Sequence, residues 1–229
     1  MKRIEDVKKD RVYRAVILEN DYVEVTVLPE LGGRIYSARD KSNGYDFVYR
    51  NHVIKPALVG LLGPWISGGI EFNWPQHHRP STYMPVRHQI KNNLDGSACV
   101  TVGETENMFG LKALTEIRLY PDAVYIEIHT RVFNYGSLPQ TFLWWANPAY
   151  AVNENTATIM PPDVTAVLDH GKRAVSEYPI AKGTYYKMDI PTALIFPDIK
   201  QFRSTSLWRI IQFDLSAAMI TESRRACSM

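Results

Sequence analysis

Between Gly63 and Pro85 the chain reads GPWISGGIEFNWPQHHRPSTYMP. This run gathers one carboxylate, Glu71, two imidazoles, His77 and His78, one guanidinium, Arg79, and the rings Trp65, Phe72, Trp74 and Tyr83. A pyranose site needs this mixture: rings for apolar sugar faces, a planar fork for paired hydroxyls, and a carboxylate or imidazole for proton transfer. Glu71, His77 and His78 are therefore the candidate proton-transfer groups, with Arg79 and Trp74 as candidate sugar contacts. Adjacent side chains of an extended segment point to opposite sides, so at most one of His77 and His78 faces a given site, and the other is structural. Glu71 has a purely structural alternative, as a buried carboxylate bonded to backbone N–H groups or to Arg79. A metal site is not expected. A His-Glu-x-x-His arrangement requires a helix, and Pro75 and Pro80 forbid one here.

A second cluster, TFLWWANPAYAVNEN, runs from Thr141 to Asn155. Trp144 and Trp145 alternate across a strand, so one enters the core and the other is free to line a cleft. Asn147, Asn153, Glu154 and Asn155 follow as short polar arms, each equally able to cap a turn. His170, in LDHGKR beside Asp169 and Lys172, is a candidate second ligand contact. His129 sits between Glu127 and Arg131 on the wet side of a strand, where a solvated or salt-bridged role is the simpler one.

The elements that must position these groups are strands. Val23, Val25 and Val27 alternate with polar or amphipathic neighbours until Pro29 and the Gly32-Gly33 pair end the run, and RIYSARD reads as the partner strand. Val124, Ile126, Ile128 and Val132 share one face of a later strand, and Tyr125, Glu127, His129 and Arg131 the other. The Tyr120-Pro121-Asp122 turn joins that strand to LKALTEIRLY, and Asn92 to Gly96 joins two earlier strands, so antiparallel hairpins dominate. No helical period competes, and no internal repeat is evident. The long connections from about Asn51 to Pro85 and from Asn147 to Pro162 are the natural places for a binding site on a rigid scaffold.

At 229 residues the chain is long enough for one domain, or for a large part of a bigger all-β domain. Two cysteines, Cys99 and Cys227, make no disulfide framework and no Cys-x-x-Cys pair. The charged N-terminus lacks the apolar core of a signal peptide, and no apolar run reaches membrane-span length, so a cytoplasmic protein is expected. A net charge of +2, from 26 basic and 24 acidic residues, favours neither nucleic acid nor an anionic membrane as partner. The aromatic content, 5 Trp, 13 Tyr and 8 Phe, fills β-sheet cores and also suits stacking on sugars.

The run VEVTVLPELGGRIYSARDKSNGYDFVYRN resembles the opening of galactose-mutarotase-like domains, in which two strands flank a Leu-Pro-x-x-Gly-Gly-Arg-Ile turn. GGIEFNWPQHHRPSTYMPV, FLWWANPAYAVNEN and PPDVTAVLDHGKR resemble, more specifically, the bacterial family known as domain of unknown function 5107, over roughly Asp10 to Met188. The resemblance implies an all-β supersandwich of antiparallel strands with a carbohydrate-facing cleft on one concave sheet, often at the head of a longer chain with tetratricopeptide repeats. Aldose 1-epimerases of the wider superfamily use a histidine as acid and a late glutamate as base. WWANPA is similar to their Asn-His strand, but Asn147-Pro148 stands there, so simple mutarotation is not expected.

After Met188 the resemblance stops, and the tail loses its alternation. Residues 1–188 are thus expected to form the N-terminal portion of the sandwich, with 189–229 an atypical, out-of-frame tail. With permissible codons chosen for Asp189 to Trp208, skipping two bases lets that stretch read, in the next frame, a run beginning Tyr-Ser-His-Gly-Thr, similar to the family's continuation. A sandwich truncated in this way is expected to carry an open sheet edge and to aggregate. The functional expectation is a module binding a mono- or oligosaccharide through Glu71, His77, His78, Arg79, Trp74, Trp145, Asn147 and His170. If the module is an enzyme, the resemblance implies cofactor-free acid/base chemistry at an anomeric centre. The alternatives are a non-catalytic glycan-binding or interaction domain, and a non-functional gene fragment.

Overall fold

The computed structural model describes residues 7–58 and 63–151 and four short stretches at 165–169, 174–177, 183–185 and 188–190. His170, Asn153, Glu154, Asn155, Lys172 and residues 191–229 lie outside the described residues. The chain opens with β1 (Val16–Glu19), β2 (Val23–Leu28), a 3-10 turn at Pro29–Leu31 and β3 (Arg34–Asp40). Valines at 23, 25 and 27 are buried while Glu24 and Thr26 remain half-buried, the alternation a one-sided strand imposes. The β1–β2 turn is held by the Asn20 carboxamide, whose oxygen accepts from the N–H groups of Tyr22 and Val23 at 2.8 and 2.7 Å.

The following elements are a short hairpin of β4 (Ala57–Leu58) and β5 (Pro64–Trp65), then β6 (Ile70–Asn73), β7 (Arg87–Asn92), β8 (Ala98–Thr105), β9 (Leu111–Leu119), β10 (Glu127–Asn134) and β11 (Trp145–Pro148). Two antiparallel sheets result, one ordered β1-β2-β3-β6-β11 and the other β10-β9-β8-β7. Separate hairpins pair β12 (Ala166–Asp169) with β13 (Ala174–Glu177), and β14 (Gly183–Tyr185) with β15 (Met188–Ile190).

The protein is thus an all-β sandwich. Its core lies between the two sheets, where Val25, Val27, Ile35 and Phe72 of one layer join Val100, Val102, Ala113 and Ile117 of the other. Each large aliphatic side chain removed from water there stabilises the fold by about 1.5–3 kcal/mol.

One strand differs from expectation. The run from Val124 to Val132 is a strand only from Glu127, and Val124 is exposed. The reason is a side chain from elsewhere: the Asn20 amide donates to the carbonyls of both Tyr120 and Ala123 at 2.7 Å. A carbonyl held in that way is diverted from a β-ladder, so the chain stays bent until Ile126 drops into the core. Among the described residues no helix is long and apolar enough to cross a membrane.

Candidate functional site

Strands β3, β6 and β11 are neighbours, and their register decides which side chains meet. Asn147 stands opposite Glu71, Ala146 opposite Phe72, and Ile35 opposite Ile70. Ile35, Phe72 and Ala146 point into the core, so alternation sends Arg34, Glu71 and Asn147 to the other face, in one row across three strands. The same rule separates the two tryptophans. Trp144 enters the core and stacks on Phe72 at 6.1 Å between centroids, whereas Trp145 is half-buried on the Glu71 side.

The connection from Trp74 to Pro85 folds back over this row. Its anchor is Arg79. The Arg79 N–H donates to the Asn73 side chain at 2.9 Å, and its guanidinium donates to Glu104 at 3.0 Å and to the Gly32 carbonyl. It also lies over the Trp74 ring, 4.4 Å from the centroid. Trp74 and Arg79 are both only 2 % exposed. Neither presents its ring or fork to a ligand; together they fasten the loop. Buried cations are tolerated where a carboxylate neutralises them, as Glu104 does here.

Gly32 allows the loop to come close. It has φ 71°, and a Cβ there would stand 2.5 Å from the Thr82 carbonyl oxygen. Only glycine combines that conformation with that approach.

The anchored loop lowers His78 and Thr82 onto Glu71, which is 2 % exposed. One carboxylate oxygen, Oε1, accepts from the Thr82 hydroxyl and lies 3.7 Å from Arg34 Nη2. The other, Oε2, accepts from His78 Nδ1 at 3.1 Å and from the Asn147 amide at 3.3 Å. Burial alone would raise the Glu71 pKa. The His78 hydrogen bond, the Arg34 charge, the charge that His78 carries when protonated and the Thr82 hydroxyl outweigh it and bring the value down to about 2.

An ionised carboxylate only accepts, so the His78 proton in its neutral form is assigned to Nδ1 by the hydrogen-bond network. Nε2 then carries the lone pair. Trp145 stands edge-on to the His78 ring, 4.8 Å between centroids at 81°, with its own N–H bonded to the Gln76 carbonyl at 3.1 Å. His77 is exposed and makes no contact with Glu71 among the described residues.

Glu106 offers a contrast. It is also buried, but it accepts from the backbone N–H groups of Met108, Phe109 and Leu111 in its own turn. That is the pattern of a structural cap. Glu71 is held by side chains from three distant segments, and two of these, His78 and Asn147, lie toward the half-buried side of the cluster. His129 pairs with Glu127 at 3.0 Å on an exposed strand face and takes no part.

Of the residues singled out from the sequence, the fold brings Glu71, His78, Trp145 and Asn147 together. It adds Arg34, Thr82 and Glu104, which the sequence did not single out. Arg34 was visible within the Gly-Gly-Arg turn, but nothing in that turn indicates a carboxylate on another strand. Among the described residues no group of three or more His, Cys, Asp or Glu side chains could hold a metal ion.

The family described as "Domain of unknown function (DUF5107)" matches residues 4–192 of the chain. Among solved structures, the chain is similar to a TPR-domain containing protein from Parabacteroides distasonis, with 28 % identity and a TM-score of 0.58 over 62 % of this chain and 25 % of that one. It thus spans about a quarter of that relative's length. It is also similar to the Slr1438 protein from Synechocystis sp., with 15 % identity and a TM-score of 0.56 over 78 % of this chain and 68 % of the other. At that identity the likeness shows the fold alone. A galactose mutarotase-like protein from Lactobacillus casei aligns with 14 % identity and a TM-score of 0.49, over 79 % of this chain and 65 % of that one.

Proposed function

The chain belongs to the DUF5107 family, and we propose that it is a carbohydrate-binding module whose Glu71–His78 pair does acid/base work on a mono- or oligosaccharide. The observation that carries this reading is the half-buried imidazole of His78, with Nδ1 tied to an ionised carboxylate and the ring packed against Trp145. A sugar packed against Trp145 brings a hydroxyl to Nε2, which takes its proton. The resulting imidazolium is stabilised by Glu71, and Asn147 offers its amide oxygen to a second hydroxyl. Glu71 itself stays ionised and inaccessible, so its part is to hold and charge-match His78.

A non-catalytic glycan-binding role has one observation in its favour. Chemistry at an anomeric centre uses an acid and a base, and Glu71 is too buried to be the second group. The two readings separate in one set of measurements. A glycan array followed by calorimetric titration identifies the sugar, and NMR exchange spectroscopy on that sugar detects anomer interconversion or bond cleavage. In the catalytic reading, His78→Gln abolishes turnover while the sugar still binds to Trp145. In the binding reading no turnover is seen, and His78→Gln weakens affinity only. No sugar binding by the wild type would remove both.

A further inference from the structure

The Arg34 guanidinium is 2 % exposed and spends its fork on three segments, around Leu31, from Ile66 to Glu71, and at Thr82. Nε donates to the Leu31 carbonyl at 3.4 Å, Nη1 to the carbonyls of Ile66 and Gly68 at 3.1 and 2.9 Å, and Nη2 to the Thr82 hydroxyl at 3.0 Å, with Glu71 Oε1 3.7 Å away. The direction of these bonds matters. Because Arg34 can only donate, Thr82 Oγ must accept from it, and the hydroxyl proton is left to point at Glu71 Oε1. Oε1 is thereby occupied by Thr82 and faced by the positive charge. Oε2 is left to accept from His78 and Asn147.

We infer that Arg34 is a positioning residue for His78: through Thr82 and Glu71 it fixes the imidazole proton on Nδ1 and so leaves Nε2 as the nitrogen facing a ligand. This deepens the proposed acid/base reading and rests on it for its significance, but the tautomer is a property of the sugar-free protein. A neutral Glu71 would carry a proton of its own to share with Nδ1, and the imidazole would be free to turn to the Nε2–H form that histidine prefers in water. Against the desolvation that burial imposes, the His78 hydrogen bond and then the charge of Arg34 keep that proton away, and of the two only Arg34 carries a permanent charge.

The test is a long-range proton–nitrogen NMR correlation on the full chain without sugar, in conditions where His78 is neutral. Wild type is expected to show the Nδ1–H form of His78. Arg34→Lys keeps a positive charge beside Glu71 and is expected to retain that form, whereas Arg34→Met is expected to lose it. A wild-type His78 in the Nε2–H form overturns the inference, as does a folded Arg34→Met protein with the Nδ1–H form intact.

Arg34→Met leaves the buried Glu71 with Arg79 as its remaining fixed countercharge and is liable to unfold. A carbon-13 titration of the Glu71 carboxyl in wild type then decides. Ionisation persisting toward pH 2 is expected, and a carboxyl titrating at or above its ordinary 4.5 overturns the inference. Sugar titrations are read separately. Failure to bind any glycan with the Nδ1–H form present defeats the proposed function and leaves the role of Arg34 standing.

Discussion

Replacing Glu71 by glutamine tests the site through its effect on stability. The Glu71 pKa falls from an ordinary 4.5 to about 2 in the fold, and each tenfold change in proton affinity corresponds to ~1.4 kcal/mol. The ionised side chain therefore contributes on the order of 3 kcal/mol to stability at neutral pH. The sign follows from proton binding. Between pH 4.5 and about 2 the unfolded chain carries a proton at this position and the folded chain does not. The contribution is thus complete above the unfolded value, shrinks as the pH falls through the window, and is gone below the folded value.

Glutamine removes the charge and cannot satisfy the neighbours. Its NH2 group must face either Thr82 and Arg34 or His78 and Asn147, all of them donors in this arrangement. Urea unfolding followed by tryptophan fluorescence, run from pH 7 to pH 2, is expected to show Glu71→Gln less stable by about 3 kcal/mol at pH 7. That deficit should fade toward pH 2. Parallel curves for wild type and variant across the window would refute the ion-pair account of Glu71.

Three further outcomes are expected. Trp145→Ala weakens glycan affinity about tenfold, ~1.4 kcal/mol, with little change in thermal midpoint, while Trp74→Ala costs ~3–5 kcal/mol of stability because it empties a core position; calorimetric titration and thermal unfolding of both variants check the division. Gly32→Ala forces a side chain into a positive-φ position and against Thr82, costing about 1–3 kcal/mol, and it displaces the His78 amide resonance in NMR; an unchanged melting curve would contradict the close approach. Sequencing the coding DNA around codon 189 is expected to show the family's continuation in a frame displaced by two bases; an intact gene encoding the tail in frame sinks that reading.

Strand pattern was legible wherever it depended on neighbours in the chain. The alternation of Val23, Val25 and Val27, the hairpin turn at Asn92 to Gly96 and the opposite facing of Trp144 and Trp145 all follow from the two-residue period of an extended backbone. Val124 was misplaced because the Asn20 amide, about a hundred residues upstream, takes the Ala123 carbonyl. Arg79 and Trp74 look like ligand contacts in isolation, since a guanidinium and an indole are sugar-binding groups. Their burial depends on Glu104, 25 residues beyond Arg79, which neutralises the charge and lets the pair close over the strands.

Residue order was enough to establish an antiparallel β protein whose chemistry-bearing side chains concentrate in the Gly63 to Pro85 connection and at the Trp-Trp strand. Which of those groups meet is decided by strand pairing in three dimensions. Glu71 and Asn147 are 76 residues apart and meet only because β6 pairs with β11 in one register. A shift of one residue would turn Asn147 into the core and Ala146 toward the site. Local periodicity sets which face a side chain occupies, but the partner on that face is chosen by pairing between segments distant in the chain.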